Sequence, residues 1–275
     1  MALYGIVADI HGNREALAAA LAALERRGAE RLLCLGDVVG YNADPDECAA
    51  LLERRGALAI AGNHDLIALE QLDFSRCSDK ARHALKRTRR ALARTTRDYL
   101  AALPPSRTLE GGIVLVHGGV RDVQQYMVGA GLIRQNAAYL REDFPGARVC
   151  FFGHSHEQKV YRVEGERVDE IALQAAAPQE RHALERGALY FVNPGSVDAS
   201  RKRGEKFAEC ALFDPQAWTL ELLRLPYDAA ATEAKSAVSG YRLSPWAQGM
   251  HALVGRLQAL GRRALRTGWR RARAR

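Results

Sequence analysis

The chain has 275 residues, 48% of them hydrophobic and 26% charged, the make-up of an ordinary globular protein long enough for a full core. No run of about 18 apolar residues occurs, so no transmembrane helix is expected, and the apolar stretch Ile6-Val7-Ala8 is too short for a secretory signal. The formal charge of +8 is uneven: residues 234–275 hold ten Lys or Arg and no acid, whereas residues 1–233 hold 30 basic and 32 acidic residues.

These features predict a cytoplasmic protein. The odd set Cys34, Cys48, Cys77, Cys150 and Cys210 contains no C-x-x-C pair. It is expected to be small buried apolar groups, not a disulfide framework or a thiolate metal site.

In chain order, "LYGIVAD" (3–9) predicts a strand. Asn13 can cap a helix with Leu17, Leu21 and Leu24 at helical spacing, ending near Gly28. "RLLCLGD" (31–37) predicts the next strand. Asp44-Pro45 opens a second helix that ends near Gly56. "ALAIAGN" (57–63) predicts a third strand, and this alternation argues for a largely parallel sheet. A helical region is expected over 64–103, a strand over 111–119, a short helix near 130–141 and a strand before His154. A hairpin over 159–173 turns at Glu164-Gly165-Glu166, and strands follow at 189–196, 207–214 and 218–228. This strand-rich late part predicts a second, mixed sheet. The domain boundary is expected at 228, with a helical basic extension over 229–275.

The ends of the predicted strands share a chemistry. Asp9 and His11 follow the first, and Asp37 the second. Asn63, His64 and Asp65 follow the third, His117 a later one, and His154 and His156 another. Ligands gather beyond the carboxyl ends of strands in open α/β sheets. Two divalent metals about 4 Å apart can hold a hydroxide between them and polarise a phosphoryl group. Their mutual repulsion calls for a bridging carboxylate, for which Asp37 is the natural candidate. The other ligands would be Asp9, His11, Asn63, His117, His154 and His156, an oxygen and imidazole set that suits Mn, Fe or Zn. In an extended segment His154 and His156 would aim to one side at a common point.

The ordered set "DIH", "GDVVG", "GNHD", "HG" and "GHSH" resembles the calcineurin-like metallophosphoesterase family, and "NPGS" (193–196) is similar to a later family segment. The resemblance covers about the first 225 residues. It implies an α/β (α+β) fold: a β-sandwich of two mixed sheets flanked by helices, with a dinuclear metal site. By matching motifs, Asp9, His11 and His156 would hold one metal, and Asn63, His117 and His154 the other, bridged by Asp37. The resemblance also makes His64 the histidine that contacts the phosphate and protonates the leaving oxygen, with Asp65 orienting it. The implied activity is that of a phosphodiesterase using a metal-bridging hydroxide. A phosphomonoesterase or nucleotide phosphatase, or a non-catalytic binding module on the same fold, are the alternatives. The "GDxVDRG" and "GNHE" patterns of protein Ser/Thr phosphatases and bacterial diadenosine tetraphosphatases are absent, and with them the phosphate-gripping arginine after the bridging aspartate. The chain looks more like the small prokaryotic phosphodiesterase branch.

Two basic segments remain. Residues 76–97 hold nine Lys or Arg against Asp79, and are expected to overhang the metal pocket or to form a solvated helix face. Trp246, Met250, Leu253, Leu257 and Leu260 recur at helical spacing among arginines, a pattern open to contact with nucleic acid or an anionic membrane, or to packing on the body. His83, His182 and His251 match no motif and are expected at the surface.

Overall fold

The structure is a computed structural model and describes residues 2–174, 177–202 and 204–242. The expected C-terminal pattern over 246–260, His251 and the rest of the Arg-rich end lie outside the described residues.

The first half alternates strand and helix as its periodicity predicts: β1 (Tyr4–Val7), α1 (Arg14–Arg26), β2 (Arg31–Cys34), α2 (Pro45–Arg54), β3 (Leu58–Ala59) and α3 (Asn63–Ala68). Asn13 caps α1, its side-chain oxygen accepting from Ala16 N at 3.1 Å. Asp44 stands at the start of α2, but its carboxylate pairs with Lys235 instead of capping the helix. Two more helices follow, α4 (Asp79–Ala91) and α5 (Arg94–Ala101). Next come β4 (Ser106–Leu109), β5 (Ile113–Val116), α6 (Ala130–Asp143) and β6 (Val149–Phe151). The late part holds β7 (Gln158–Glu164), β8 (Arg167–Glu170), β9 (Gln179–Ala183), β10 (Leu189–Pro194), β11 (Phe207–Asp214), β12 (Thr219–Pro226) and α7 (Ala229–Val238).

The strands make two six-stranded sheets, ordered β3-β2-β1-β11-β12-β9 and β4-β5-β6-β10-β7-β8. Both are mixed. In the first, β1, β2 and β3 run parallel, and β11, β12 and β9 add on antiparallel. The late strands therefore do not make a sheet of their own, as their clustering in sequence suggests. They extend both sheets, with β11 seated beside β1 and β10 beside β6.

Alternation along β1 explains the layering. Tyr4 and Ile6 face the second sheet, where they meet Ile113, Leu115, Val149 and Phe151 in one buried cluster. Val7 faces the other way, into a cluster with Leu17, Leu21 and Leu24 of α1. On the far side of the second sheet, Val114, Val116 and Cys150 pack on Ile133, Ala137 and Leu140 of α6. Strands buried on both faces read as continuous apolar runs, which is why these were evident in the sequence. β4 and β9 were not expected. Both are polar edge strands, partly exposed, and charge on an edge strand blunts unwanted pairing. All five cysteines are free and none of the described helices is long and apolar enough to cross a membrane.

The described start of the C-terminal segment packs on the body. Thr232 of α7 donates to Asn13 Oδ1 (3.0 Å), and Ser236 donates to Asn42 Oδ1 (3.3 Å). Asn42 Nδ2 in turn donates to the carbonyl of His11 (3.2 Å), so α7 braces the turn that follows β1.

Candidate metal centre

The turns after β1, β2, β3, β5 and β6 converge on one buried pocket. Asp9, His11, Asp37, Asn63, His64, His117, His154 and His156 are all buried there. Three groups of ligand atoms lie within 4.8 Å of one another: Asp9–His11–His156, Asp37–His117–His154 and His11–Asp37–His64. His156 Nε2 is 3.4 Å from Asp9 Oδ1 and 3.1 Å from His11 Nε2. His117 Nε2 is 3.0 Å from Asn63 Oδ1 and 3.4 Å from Asp37 Oδ2. The same Asp37 oxygen is 3.6 Å from His11 Nε2, so it faces both groups.

The backbone is forced to make this convergence. Asp9, His11, Asp37, His154 and His156 all have positive φ, between 51° and 65°. The left-handed region is uncommon for non-glycine residues, and such strain concentrates where function requires a particular side-chain direction. It also corrects one expectation. His154 and His156 are not extended, and their rings part, His154 joining Asp37 and His117 while His156 joins Asp9 and His11.

The imidazole tautomers suit cation binding. His11 Nδ1 donates to the Val39 carbonyl (3.2 Å) and His117 Nδ1 to the Leu35 carbonyl (2.7 Å). His154 Nε2 donates to the Gln124 carbonyl (3.2 Å). Each bond ties up one ring nitrogen and turns the other toward the pocket. At His117 burial opposes the charged ring, but the Asp37 carboxylate outweighs it and raises the imidazole to about 9, so a cation there would take the place of that proton. Burial pushes His11, His154 and His156 toward the neutral ring that a metal needs, His154 down to about 3. Burial also raises Asp9, to about 7, a cost that a nearby cation would offset. Burial opposes charge on Asp37 as well, but the surrounding imidazoles, His117 foremost, outweigh it and hold the carboxyl well below its usual range. No thiol stands among these ligand groups. The donors fit hard or borderline divalent cations.

Close backbone approach makes the packing possible. A Cβ on Gly62 would lie 2.2 Å from Asp37 Oδ1, and one on Gly40 would lie 2.5 Å from His64 Nδ1 and 2.7 Å from His11 Nδ1. Behind the ligands, the "NPGS" segment is a brace. Asn193 Nδ2 donates to the Gly153 carbonyl (2.8 Å) and to Ser155 Oγ (2.9 Å), and Ser196 Oγ donates to the Asp9 carbonyl (3.0 Å).

A model of the calcineurin-like phosphoesterase superfamily domain matches residues 2–217. The chain belongs to this family. Its members are hydrolases of phosphoester bonds, and so is this enzyme. An uncharacterised protein of Methanocaldococcus jannaschii is 28% identical over 251 residues, spanning 89% of this chain and 95% of that protein. A metallophosphoesterase from Sphaerobacter thermophilus superimposes with a TM-score of 0.72 at 26% identity, covering 87% of this chain and 94% of its own. A hypothetical protein from Pyrococcus horikoshii shares the fold, with a TM-score of 0.67 at 18% identity, covering 88% and 95% of the two chains.

Asp65 of this phosphoesterase is placed differently from the expectation that it orients His64. Its Oδ1 accepts from Val39 N (3.1 Å) and its Oδ2 from Gly62 N (3.0 Å), while His64 Nδ1 is buried with no hydrogen-bond partner. The geometric reason is the start of α3, where the side chain of Asp65, at the third helical position, reaches back to accept from the Gly62 amide. Asp65 therefore acts through the backbone, fixing the turn that carries Asn63 and His64 against the loop that carries Asp37. Asp65→Asn keeps one acceptor and turns an NH2 toward the other amide. It is expected to cost about 1–3 kcal/mol of stability, read as a lower denaturant midpoint.

The ring of His64 stands 4.5 Å from that of His11 and 5.0 Å from that of Tyr41. It lines a cavity of about 270 Å³ beside the donor groups. Of the basic span 76–97, Arg76 and Lys80 reach this cavity. The others point elsewhere, Arg87 to the Ser239 carbonyl and Arg89 over the Phe74 ring. His83 donates to the Gly240 carbonyl, and His182 Nε2 lies 3.2 Å from Glu180 Oε1, both away from the pocket. Sequence reasoning did not find Tyr41, Tyr126 or Arg201, which also line the cavity. Each sits one to several residues beyond a recognised motif, and no local pattern distinguishes it.

Proposed function

We propose that the enzyme is a dinuclear metal-dependent phosphodiesterase. The observation that carries this reading is the position of Asp37 Oδ2, within 3.6 Å of His11 on one side and 3.4 Å of His117 on the other. One cation would be held by Asp9, His11 and His156 and the other by Asn63, His117 and His154, with Asp37 shared. When bound, two such ions supply a water acidified toward neutral pH and polarise a phosphoryl oxygen. Mn, Fe or Zn suits the donors.

The protein's own residues do the remainder. The buried turns hold the donors rigidly and keep bulk water from them, which strengthens every charge interaction within. His64, at the cavity wall and outside the two triplets, provides an N–H for the phosphoryl or leaving-group oxygen. Support for a diester comes from the shape around the centre. The cavity of about 270 Å³ adjoins a larger groove of about 770 Å³, and His156 and Arg201 line both. A diester carries an organic group on each side of phosphorus and needs such room twice.

The test is hydrolysis of an aryl phosphodiester and the matching monoester by metal-stripped protein, with Mn²⁺ added back. The expected result is Mn²⁺-dependent turnover with the diester preferred. Preference for the monoester would make the enzyme a phosphomonoesterase or nucleotide phosphatase. No turnover with any of several divalent metals, with two ions bound per chain, would leave a binding module on this fold.

A further inference from the structure

The loop after β2 carries Tyr41 where "GDxVDRG" patterns carry a phosphate-gripping arginine. We propose that Arg201, delivered from the segment after β10, is the phosphate-binding cation of this site, and that Lys80 from α4 assists it. This rests on the phosphoesterase reading above and names the group that seizes the anion.

Arg201 lines the cavity at its junction with the larger groove. Its Nη1 is 3.4 Å from the carbonyl of His154, and its guanidinium stands 5.7 Å from the Tyr126 ring. It makes no ion pair with a carboxylate among the described residues, and it is open to solvent. The neighbouring cations are spoken for. Arg76 is clamped by Asp122 at 2.8 Å, and Lys202 and Arg224 both pair with Glu209. Lys80 is the exception. Its ammonium lies 3.3 Å from the Ser200 carbonyl and 5.5 Å from the Tyr41 ring, and it makes no ion pair with a carboxylate among the described residues.

Arg201 stands at the edge of the centre, beside His154 and sharing the cavity wall with Asp37, His64 and His156. A guanidinium without an acidic partner, open to solvent and directed at a pocket built for cations, has one fitting partner: an entering anion. Its planar fork matches two phosphoryl oxygens, and charge growing on those oxygens in the transition state is met by a donor already in place. Tyr126 and Tyr41 flank the two cations and limit where the anion can sit.

The experiment is calorimetric titration of Mn²⁺-loaded full-length protein with inorganic phosphate at fixed ionic strength, together with kcat/KM on the aryl diester and metal content. Arg201→Ala is expected to weaken phosphate binding at least about tenfold and to lower kcat/KM about 10²-fold, the scale of losing one transition-state donor. Metal content stays at the wild-type value. Arg201→Lys regains part of both, and Arg90→Ala, which removes an exposed cation on another face of α4, changes neither. Arg201→Gln gives the same readouts should the alanine variant fail to fold. Phosphate affinity and kcat/KM within twofold of wild type in Arg201→Ala and Arg201→Gln would overturn the proposal. If the wild-type protein cleaves no phosphoester, the functional reading fails while the phosphate titration still decides the role of Arg201.

Discussion

Asp37→Asn is expected to lower kcat by about 10³-fold or more and to reduce bound metal below the wild-type count, with the fold retained. Losing a group that organises charge in the transition state carries a penalty on that scale. The side chain is buried, and its two oxygens have separate tasks. Oδ1 accepts from His64 N at 2.7 Å, and asparagine can preserve that bond. Oδ2 faces His11 Nε2 and His117 Nε2. An NH2 there offers no lone pair and brings a donor to the point where two cations would meet. The variant therefore separates the structural task of Asp37 from its proposed bridging task. Measurement of metal per chain beside kcat checks it. Full metal content with near-wild-type turnover would remove Asp37 from the bridging role.

His64→Ala makes the opposite division. Turnover should fall about 10²- to 10⁴-fold, the range for a group that donates or accepts a proton in the transition state. Metal content should not change. The reason is that the bond between His64 and Asp37 runs through the His64 backbone amide, which alanine keeps. The missing ring leaves space beside His11 and Tyr41 without removing a donor from either proposed triplet. A third grouping, His11–Asp37–His64, is also compact enough to hold an ion. Loss of a metal in His64→Ala would favour that grouping and make His64 a ligand.

Much of this enzyme is legible in one dimension. Strands such as β1, β5, β6 and β10 are buried on both faces, so their apolar runs need no partner to be recognised. The candidate ligands stand just after β1, β2, β3, β5 and β6, because chain leaving these parallel strands must cross the pocket at their ends. Asp9, His11, Asp37, Asn63, His117, His154 and His156 could all be named from local motifs.

Tertiary structure decided what depends on pairing at a distance. The sheet order, with β11 beside β1 and β10 beside β6, joins residues about 200 and 40 positions apart in sequence, and no periodicity encodes that choice. The same holds for side chains whose role is set by their surroundings. The resemblance makes Asp65 the partner of His64, yet two backbone amides hold it, since hydrogen bonds follow distance and direction rather than motif order. Arg201 is one arginine among many along the chain. It becomes singular only when the fold turns it toward the pocket and assigns the neighbouring acids to other cations.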